Sequence, residues 1–430
     1  MTTQKKLKAL VRARMDKTGE SYTVARRHVL NAQPASDYPL RGGVHPDTAA
    51  LANVLASRGI VDPTTSLPIT EALVLGLGGG LGAGYILWEF AEHGGERRVV
   101  TTAFRNQWQY PDRWLRKTCD RLGVPVSVSE TGGEKRAAQQ LNDALGAGLP
   151  AVAFVSVADL PYWHLPEEEA GWFGYTVALY GREGDRLLVD DRNHDRLTVS
   201  EGEIAVARGR IPSYKNRLLV PDPAATELTE ERLVASIDAA LAEQIEHLAS
   251  SSDSFSLPAI RKWARMLTDE RNPKAWPRVF ADGRGLLRAL VSTSESVREA
   301  GIFGGNLRML YVEFLSDAAR LTARDLKAPA HAYRQAATAW EKFAATCLAA
   351  PVVKEVVDLD ARRGSAVARG DAGWEEAAKA GVRSNRLLKE SDAGLDASEQ
   401  VRLFGEMAEA LSEVYRAEVA AHAALAGSMR

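Results

Sequence analysis

Acidic and aromatic side chains follow two strand-like segments in the first half of the chain. Asp190 and Asp191 come directly after a short predicted strand, and an aspartate at a strand end can orient a histidine or bind an amine. Tyr162 and His164 follow the apolar run 151–157, where aromatic and proline residues often line the mouth of a pocket. Both segments are equally compatible with plain turns or packed surface loops.

Two glycine-rich segments could present backbone N–H groups to an anion. The run 76–85 contains Gly79 and GxGxxG spacings, which in a dinucleotide-binding domain follow a strand and open a helix. Because residues 71–73 look helical, we favour glycines that let the loop pass close under another segment. Further along, a glycine turn enters a helix at Arg308. That helix start could receive a carboxylate or phosphate, or be an ordinary capped helix.

The sequence does not indicate a metal or a cofactor. His194 and the aspartates beside it lack the spacing of a metal site, and neither HExxH nor CxxC occurs. Cys119 and Cys347 are predicted to pack as small buried hydrophobic residues. We therefore expect no metal site and no cofactor.

Composition limits the class of protein. The chain has 54 basic and 56 acidic residues and a formal net charge of -2, which argues against nucleic acid or a membrane surface as partner. With two cysteines in 430 residues, we expect a reducing, cytoplasmic setting. The lysine-rich start lacks the apolar run of a signal peptide, and the apolar stretch 71–90 is broken by glycines, unlike a membrane helix.

The pattern along the chain predicts three segments. Residues 1–35 read as a basic helical hairpin, and residues 36–222 as a mixed domain that ends in hairpin-connected strands and hence an antiparallel sheet. Residues 223–430 carry long alanine-rich segments with apolar spacing of period 3.6, which predicts an all-α domain. The predicted fold class is therefore α+β followed by all-α, and the helical domain could form a homodimer or close over a pocket.

Several segments, in their order and spacing, resemble the BtrH-like family of butirosin biosynthesis. They are 45–51, 70–85, 148–162, 175–181 and 187–191, with 257–263, 272–280 and 304–314 in the helical part. The resemblance implies a papain-like, cysteine-peptidase-like N-terminal domain and the helical C-terminal domain that commonly accompanies it. It also implies transfer of an aminoacyl group from a carrier-protein thioester to an aminoglycoside amine, through a cysteine nucleophile and a histidine base.

At the positions of that reactive pair this chain has Pro46 and Tyr175. Proline offers no nucleophile, and tyrosine, with a pKa of about 10, is a poor base at neutral pH. The preceding His45 and the orienting acid Asp190 remain, so the catalytic candidates are His45, Tyr175 and Asp190. The substrate-binding candidates are Glu71, Gly79, Tyr162, His164, Asp191 and Arg308.

Three functions stay open for such a protein in antibiotic biosynthesis. It could be a pseudoenzyme whose pocket binds a small metabolite or a carrier-bound acyl group. It could be an active transferase in which His45, Tyr175, Asp190 and Asp191 position an amine for direct attack on the acyl donor. It could also be an interaction protein that docks through its basic N-terminal hairpin, since function depends on sites and not on folds.

Overall fold

A computed structural model describes residues 38–90, 97–222 and 226–429, together with residues 12, 13, 15, 19 and 22. Apart from those five residues, the predicted N-terminal hairpin at 1–35 lies outside the described residues. The described chain forms two compact units. Unit 1 comprises the described parts of Met1–Ile60, Pro125–Ala225 and Ala366–Glu375, and unit 2 those of Val61–Val124, Thr226–Ser365 and Glu376–Arg430.

The strands and helices are numbered here in chain order. The strands are β1 (Leu81–Phe90), β2 (Arg97–Arg105), β3 (Val126–Ser129), β4 (Ala151–Ser156), β5 (Gly174–Glu183), β6 (Arg186–Asp190), β7 (Leu197–Ser200) and β8 (Leu218–Pro221). The first helices are α1 (Pro46–Ser57), α2 (Glu71–Leu77), α3 (Pro111–Arg121), α4 (Glu134–Gly146), α5 (Glu201–Gly209), α6 (Glu230–Ala249) and α7 (Leu257–Met266). The remaining helices are α8 (Trp276–Val279), α9 (Leu286–Val297), α10 (Arg308–Thr322), α11 (Lys327–Thr346), α12 (Pro351–Val367), α13 (Trp374–Glu390) and α14 (Ala397–Ser428).

Unit 1 is built on a six-stranded sheet in the order β3-β8-β4-β5-β6-β7, and its neighbouring strands are antiparallel. The predicted hairpin joins β5 to β6 through Gly184, whose φ of 61° lies in the left-handed region that glycine adopts without strain. Side chains of β4 are buried along its whole length, as in a central strand covered on both faces. Helix α1 packs on β5, and α5 packs on β4.

Unit 2 combines the antiparallel ribbon β1–β2 with helices. Helix α7 packs on β1 and α9 on β2, while α11 and α14 pack along each other. The aromatic core includes Tyr85, which stacks on Trp263 at 4.6 Å between ring centroids and accepts a hydrogen bond of 2.8 Å from the indole of Trp276. Aromatic side chains of this kind bury about 150–250 Å² each and so dominate the energetics of a core.

The predicted fold class is confirmed in its main features, with a mixed region containing an antiparallel sheet followed by a helical region. The predicted boundaries at residues 35 and 222 stay a prediction. Among the described residues, every helix falls short of the combined length and hydropathy that crossing a bilayer requires.

Candidate functional site

The N-terminus of α1 lies against the beginning of β5. His45 caps the helix, because its Nδ1 accepts a hydrogen bond of 3.2 Å from the backbone N–H of Asp47. Pro46 occupies the first helical position, where a missing N–H costs nothing. The buried Asp47 carboxylate accepts a hydrogen bond of 2.8 Å from the hydroxyl of Thr176 on β5. Capping and packing therefore place residue 46 beside the strand that carries Tyr175.

Tyr175 belongs to a buried polar network. Its side chain is 2% exposed, and its hydroxyl donates to Asp191 Oδ1 at 2.8 Å. Arg192 Nη2 donates to the same hydroxyl at 2.5 Å, and Arg192 Nη1 donates to the carbonyl of Val44 at 2.9 Å. Arg192 therefore connects the phenol of β5 with the segment that leads into α1.

Asp191 is the acceptor at the centre of this network. Its Oδ2 accepts hydrogen bonds from the Tyr162 hydroxyl at 3.0 Å and from the Trp163 indole at 2.8 Å. Arg192 Nε lies 3.5 Å from Asp191 Oδ1. We call these five residues, Tyr162, Trp163, Tyr175, Asp191 and Arg192, the Asp191 cluster. Sequence reasoning missed Trp163 and Arg192, although each stands next to a predicted site residue.

Burial sets the protonation of the tyrosines in the Asp191 cluster. Desolvation raises the pKa of Tyr175 well above its usual value; Arg192 opposes this effect and Asp191 adds to it. Desolvation likewise raises the pKa of Tyr162, with Asp191 adding to it. Both phenols are therefore protonated donors at neutral pH, which fits the expectation that Tyr175 is a poor base.

Asp190, the last residue of β6, has hydrogen-bond partners different from those of Asp191. It accepts hydrogen bonds from the Tyr38 hydroxyl at 2.8 Å, from Asn53 Nδ2 at 3.0 Å and from the backbone N–H of Arg192 at 3.1 Å. Burial raises its pKa to about 7, although these hydrogen bonds act in the opposite direction. Tyr38 in turn stacks on Tyr180, with ring centroids 4.2 Å apart. Asp190 is thus a carboxyl group that titrates near neutral pH.

The predicted site residues of unit 1 each have their own partners in the structure. His45 is half-buried and engaged as the cap of α1. His164 adopts a left-handed conformation with φ of 46°, and its ring meets the edge of Trp374 at 5.4 Å between centroids. Tyr175 is paired with Asp191, while Asp190 is paired with Tyr38 and Asn53. Joint catalysis by His45, Tyr175 and Asp190 stays a prediction.

The other substrate-binding candidates belong to unit 2. Glu71 is the first residue of α2, after the cap Thr70. Gly79 has a φ of +100°, and a Cβ there would lie 2.5 Å from Glu243 Oε1. This position confirms that the glycine run lets its loop pass close to another segment, here α6.

Arg308 forms a buried ion pair. Its side chain is 0% exposed, and its Nε lies 2.6 Å from Glu418 Oε1. The other guanidinium nitrogens donate to the carbonyls of Asn306 at 2.6 Å and Gly82 at 3.0 Å. Trp340 Nε1 donates to the same Glu418 oxygen at 2.6 Å. A substrate-binding role for Arg308 stays a prediction, and it would require this pair to open.

Unit 2 also contains a cavity of about 400 Å³ that sequence reasoning missed. One wall is the segment 105–110 between β2 and α3, and the other consists of Glu243, Glu246, His247 and Ser250 on α6, with Phe255 beyond it. The α6 residues recur at helical spacing and so share one face. The alternation of amides and aromatics at 107–110 was the available signal, but its partner wall lies more than a hundred residues away.

The carboxylate of Glu243 in this cavity wall is paired with neighbouring donors. Glu243 accepts hydrogen bonds from Asn106 at 2.8 Å and from Arg121 at 2.7 Å, and it also pairs with Lys117. Burial lowers the pKa of His247, although Glu243 acts in the opposite direction. His247 is therefore neutral at physiological pH.

The described residues contain no group of three or more His, Cys, Asp or Glu side chains placed to hold a metal ion. Both cysteines are buried and free. Burial raises the pKa of the Cys119 thiol, and it raises that of Cys347 to about 12. Neither thiol is therefore an activated nucleophile.

Two family models match the chain. One, described as butirosin biosynthesis protein H, N-terminal, matches residues 45–192, a span that begins at the α1 cap and ends at Arg192. The other, described as a domain of unknown function, DUF4872, matches residues 212–369. No curated protein matches the chain.

Proposed function

Because the chain belongs to the BtrH-like family, we propose that it serves secondary-metabolite biosynthesis as a relative of acyltransferases that forms no covalent intermediate at residue 46. Its N-terminal domain relates it to a butirosin biosynthesis protein. The proposed ligand is a small molecule or a carrier-protein-bound acyl group, and the proposed setting is the cytoplasm. A homodimer through the helical region is part of the same proposal.

The Asp191 cluster is the observation that carries this proposal. A papain-like arrangement, with a helix N-terminus against a strand, would place a nucleophile at residue 46 and a base at residue 175. Here the first position holds Pro46, which has no reactive group. The second holds a phenol that donates to Asp191 and accepts from Arg192. A thioester donor would therefore meet neither a thiolate nor a base at this place.

One observation favours a second candidate, an enzyme that transfers the acyl group directly. A group with a pKa of about 7 can accept a proton from an attacking amine at neutral pH. Asp190 would then be the general base: the amine attacks the thioester carbonyl, Asp190 takes the amine proton, and the C–S bond breaks so that the donor leaves as a thiolate. Binding would hold the amine beside the acyl carbonyl. Since Asp190 is only 1% exposed, this candidate requires local opening near Tyr38.

The test compares the native protein with a variant that restores the reactive pair. Each is incubated with an acetyl thioester of N-acetylcysteamine, and the intact mass is measured. We expect no mass gain for the native protein and an acetyl adduct for the double variant Pro46→Cys/Tyr175→His. In that variant the thiolate attacks the thioester carbonyl, the acetyl group moves to the protein sulfur, and the donor thiol leaves with a proton.

Single variants and a binding assay separate the candidates. Pro46→Cys alone is the control, because it supplies a thiol without the added imidazole and should acylate more slowly. An acyl adduct on the native protein would refute the proposal. Transfer from the thioester to an added amine without an adduct, lost in Asp190→Asn, would establish the second candidate. A ligand-dependent rise in the unfolding temperature of the native protein, without turnover, would identify a binding protein.

A further inference from the structure

The cavity in unit 2 takes no part in the function proposed above, and its wall has its own chemistry. Its volume of about 400 Å³ falls in the range of small-molecule sites. The indole of Trp108 and the ring of Phe255 lie 6.1 Å apart at an angle of 52°, and Tyr110 adds an exposed ring to the same wall. Aromatic faces of this kind pack against the apolar face of a bound ring.

The indole N–H of Trp108 is an unsatisfied hydrogen-bond donor in this wall. Among the described residues, the buried Nε1 of Trp108 has no partner. An indole N–H can only donate, and a buried donor without an acceptor costs about 1–3 kcal/mol. A ligand that offers an acceptor oxygen to Trp108 would recover that cost.

The same wall also presents acceptors. Glu246 contributes an exposed carboxylate. His247 is hydrogen bonded to the backbone of Phe255, and a neutral imidazole that donates through one nitrogen accepts through the other. A ligand at this wall must therefore donate as well as accept.

A hydroxyl group can both accept and donate a hydrogen bond, as this wall requires, whereas an ammonium group or a carboxylate can do only one of the two. A hydroxyl donates one hydrogen bond and accepts two, an ammonium group only donates, and a carboxylate only accepts. Each charged group of the lining is already engaged or screened. Glu243 is paired with Lys117 and Arg121, the buried guanidinium of Arg105 lies over the Trp114 ring and donates to the Asn106 carbonyl, and water screens the exposed Glu246.

We propose that the unit 2 cavity binds an uncharged, hydroxyl-rich ring, of the chemical class of a neutral sugar or cyclitol. The ring stacks on the aromatic wall formed by Trp108, Tyr110 and Phe255. One of its oxygens accepts from Trp108, and its hydroxyl hydrogens are donated to Glu246 and His247. This site is separate from the Asp191 cluster and does not depend on acyl transfer.

The test is saturation-transfer-difference NMR of the full chain with glucose, galactose and myo-inositol. Glucosamine and glucuronate serve as the cationic and anionic counterparts. We expect transfer to at least one neutral ring, with an affinity that changes little between about 50 mM and about 500 mM salt, because salt screens only charged contacts. Signals from the charged rings alone, or from none of the five, would overturn the proposal.

Two variants assign the binding to this wall. Trp108→Phe keeps a ring but removes the N–H, and we expect it to weaken binding about fivefold, the effect of one net hydrogen bond. The matched control is Trp88→Phe, at an indole that donates to Thr101 at 3.0 Å outside the cavity, and it should bind like the native protein. Equal affinities of the two variants would refute the role of Trp108.

Glu246→Ala provides a second measurement on an exposed side chain, where loss of folding is not expected. We expect it to lower the affinity for the same neutral ring while the unfolding temperature stays that of the native protein. If Trp108→Phe lowers the unfolding temperature, its weaker binding could come from impaired folding, and the affinity of Glu246→Ala then tests the proposal. Unchanged affinity in Glu246→Ala would then contradict the proposal.

Discussion

Replacing Asp190 with asparagine should change how the stability of the protein depends on pH. The carboxyl group accepts hydrogen bonds from Tyr38, Asn53 and the backbone N–H of Arg192, and it is 1% exposed. An amide has the same size but a single acceptor oxygen, so the variant loses at least one of these bonds. We expect a pH-independent cost of about 1–3 kcal/mol from that loss.

The pH-dependent part follows from the pKa of Asp190. Burial raises it from 3.8 to about 7, so between these values the folded protein holds a proton that the unfolded chain has released. The stability from this group is complete below the unfolded pKa and is lost as the pH rises through the folded one. The whole interval corresponds to about 4 kcal/mol, and the part between pH 5 and pH 8 to about 3 kcal/mol. Asparagine does not titrate, so the Asp190→Asn variant does not lose this stability as the pH rises.

Urea unfolding of the native protein and Asp190→Asn at pH 5, 6, 7 and 8 measures the effect. The variant should be less stable than the native protein at pH 5. Between pH 5 and pH 8 the difference between their free energies of unfolding should shift in favour of the variant by about 3 kcal/mol. Asp195→Asn, at an exposed position in the same loop, is the control and should show no such shift. A native-minus-variant difference that stays constant over this pH range would refute a raised pKa at Asp190.

Three other measurements test the packing of unit 2. Arg308→Met should cost about 3–5 kcal/mol in urea unfolding, because it leaves Glu418 charged and buried, and adding Glu418→Leu should recover part of that cost. Gly80→Ala, where a Cβ would lie 2.1 Å from Gln244, should lower the unfolding temperature more than Gly59→Ala, which has the same left-handed φ and open space. The two buried cysteines should react with iodoacetamide only after denaturation, which intact-mass measurement detects as alkylated protein. Rapid labelling of the native protein would contradict their burial.

Local patterns were sufficient for much of the fold. Short strand-like runs and a turn signal between the last two predicted β4, β5, β6 and their hairpin, and the observed strands at Ala151–Ser156, Gly174–Glu183 and Arg186–Asp190 agree closely. The period of 3.6 predicted the helical second half. These features depend on residues within a few positions of each other, so the sequence contains the physical information they require.

The candidate site was predictable in its residue types but not in its pairing. The sequence alone determined that residue 46 has no nucleophile and that residue 175 is a phenol. Which carboxylate Tyr175 would contact was not determined, because neighbouring residues at a strand end point to opposite sides. Only the tertiary structure placed Asp191 against Tyr175 and left Asp190 to Tyr38 and Asn53.

Burial and long-range proximity were likewise decided by tertiary structure. Arg308 looked like an anion-binding residue at a helix start, but it is buried against Glu418, 110 positions later. The unit 2 cavity joins the loop after β2 to one face of α6, two segments that are far apart in the chain. The sequence by itself determined which groups are present and their local conformation. Their partners and solvent access follow from packing between distant segments, which local periodicity does not encode.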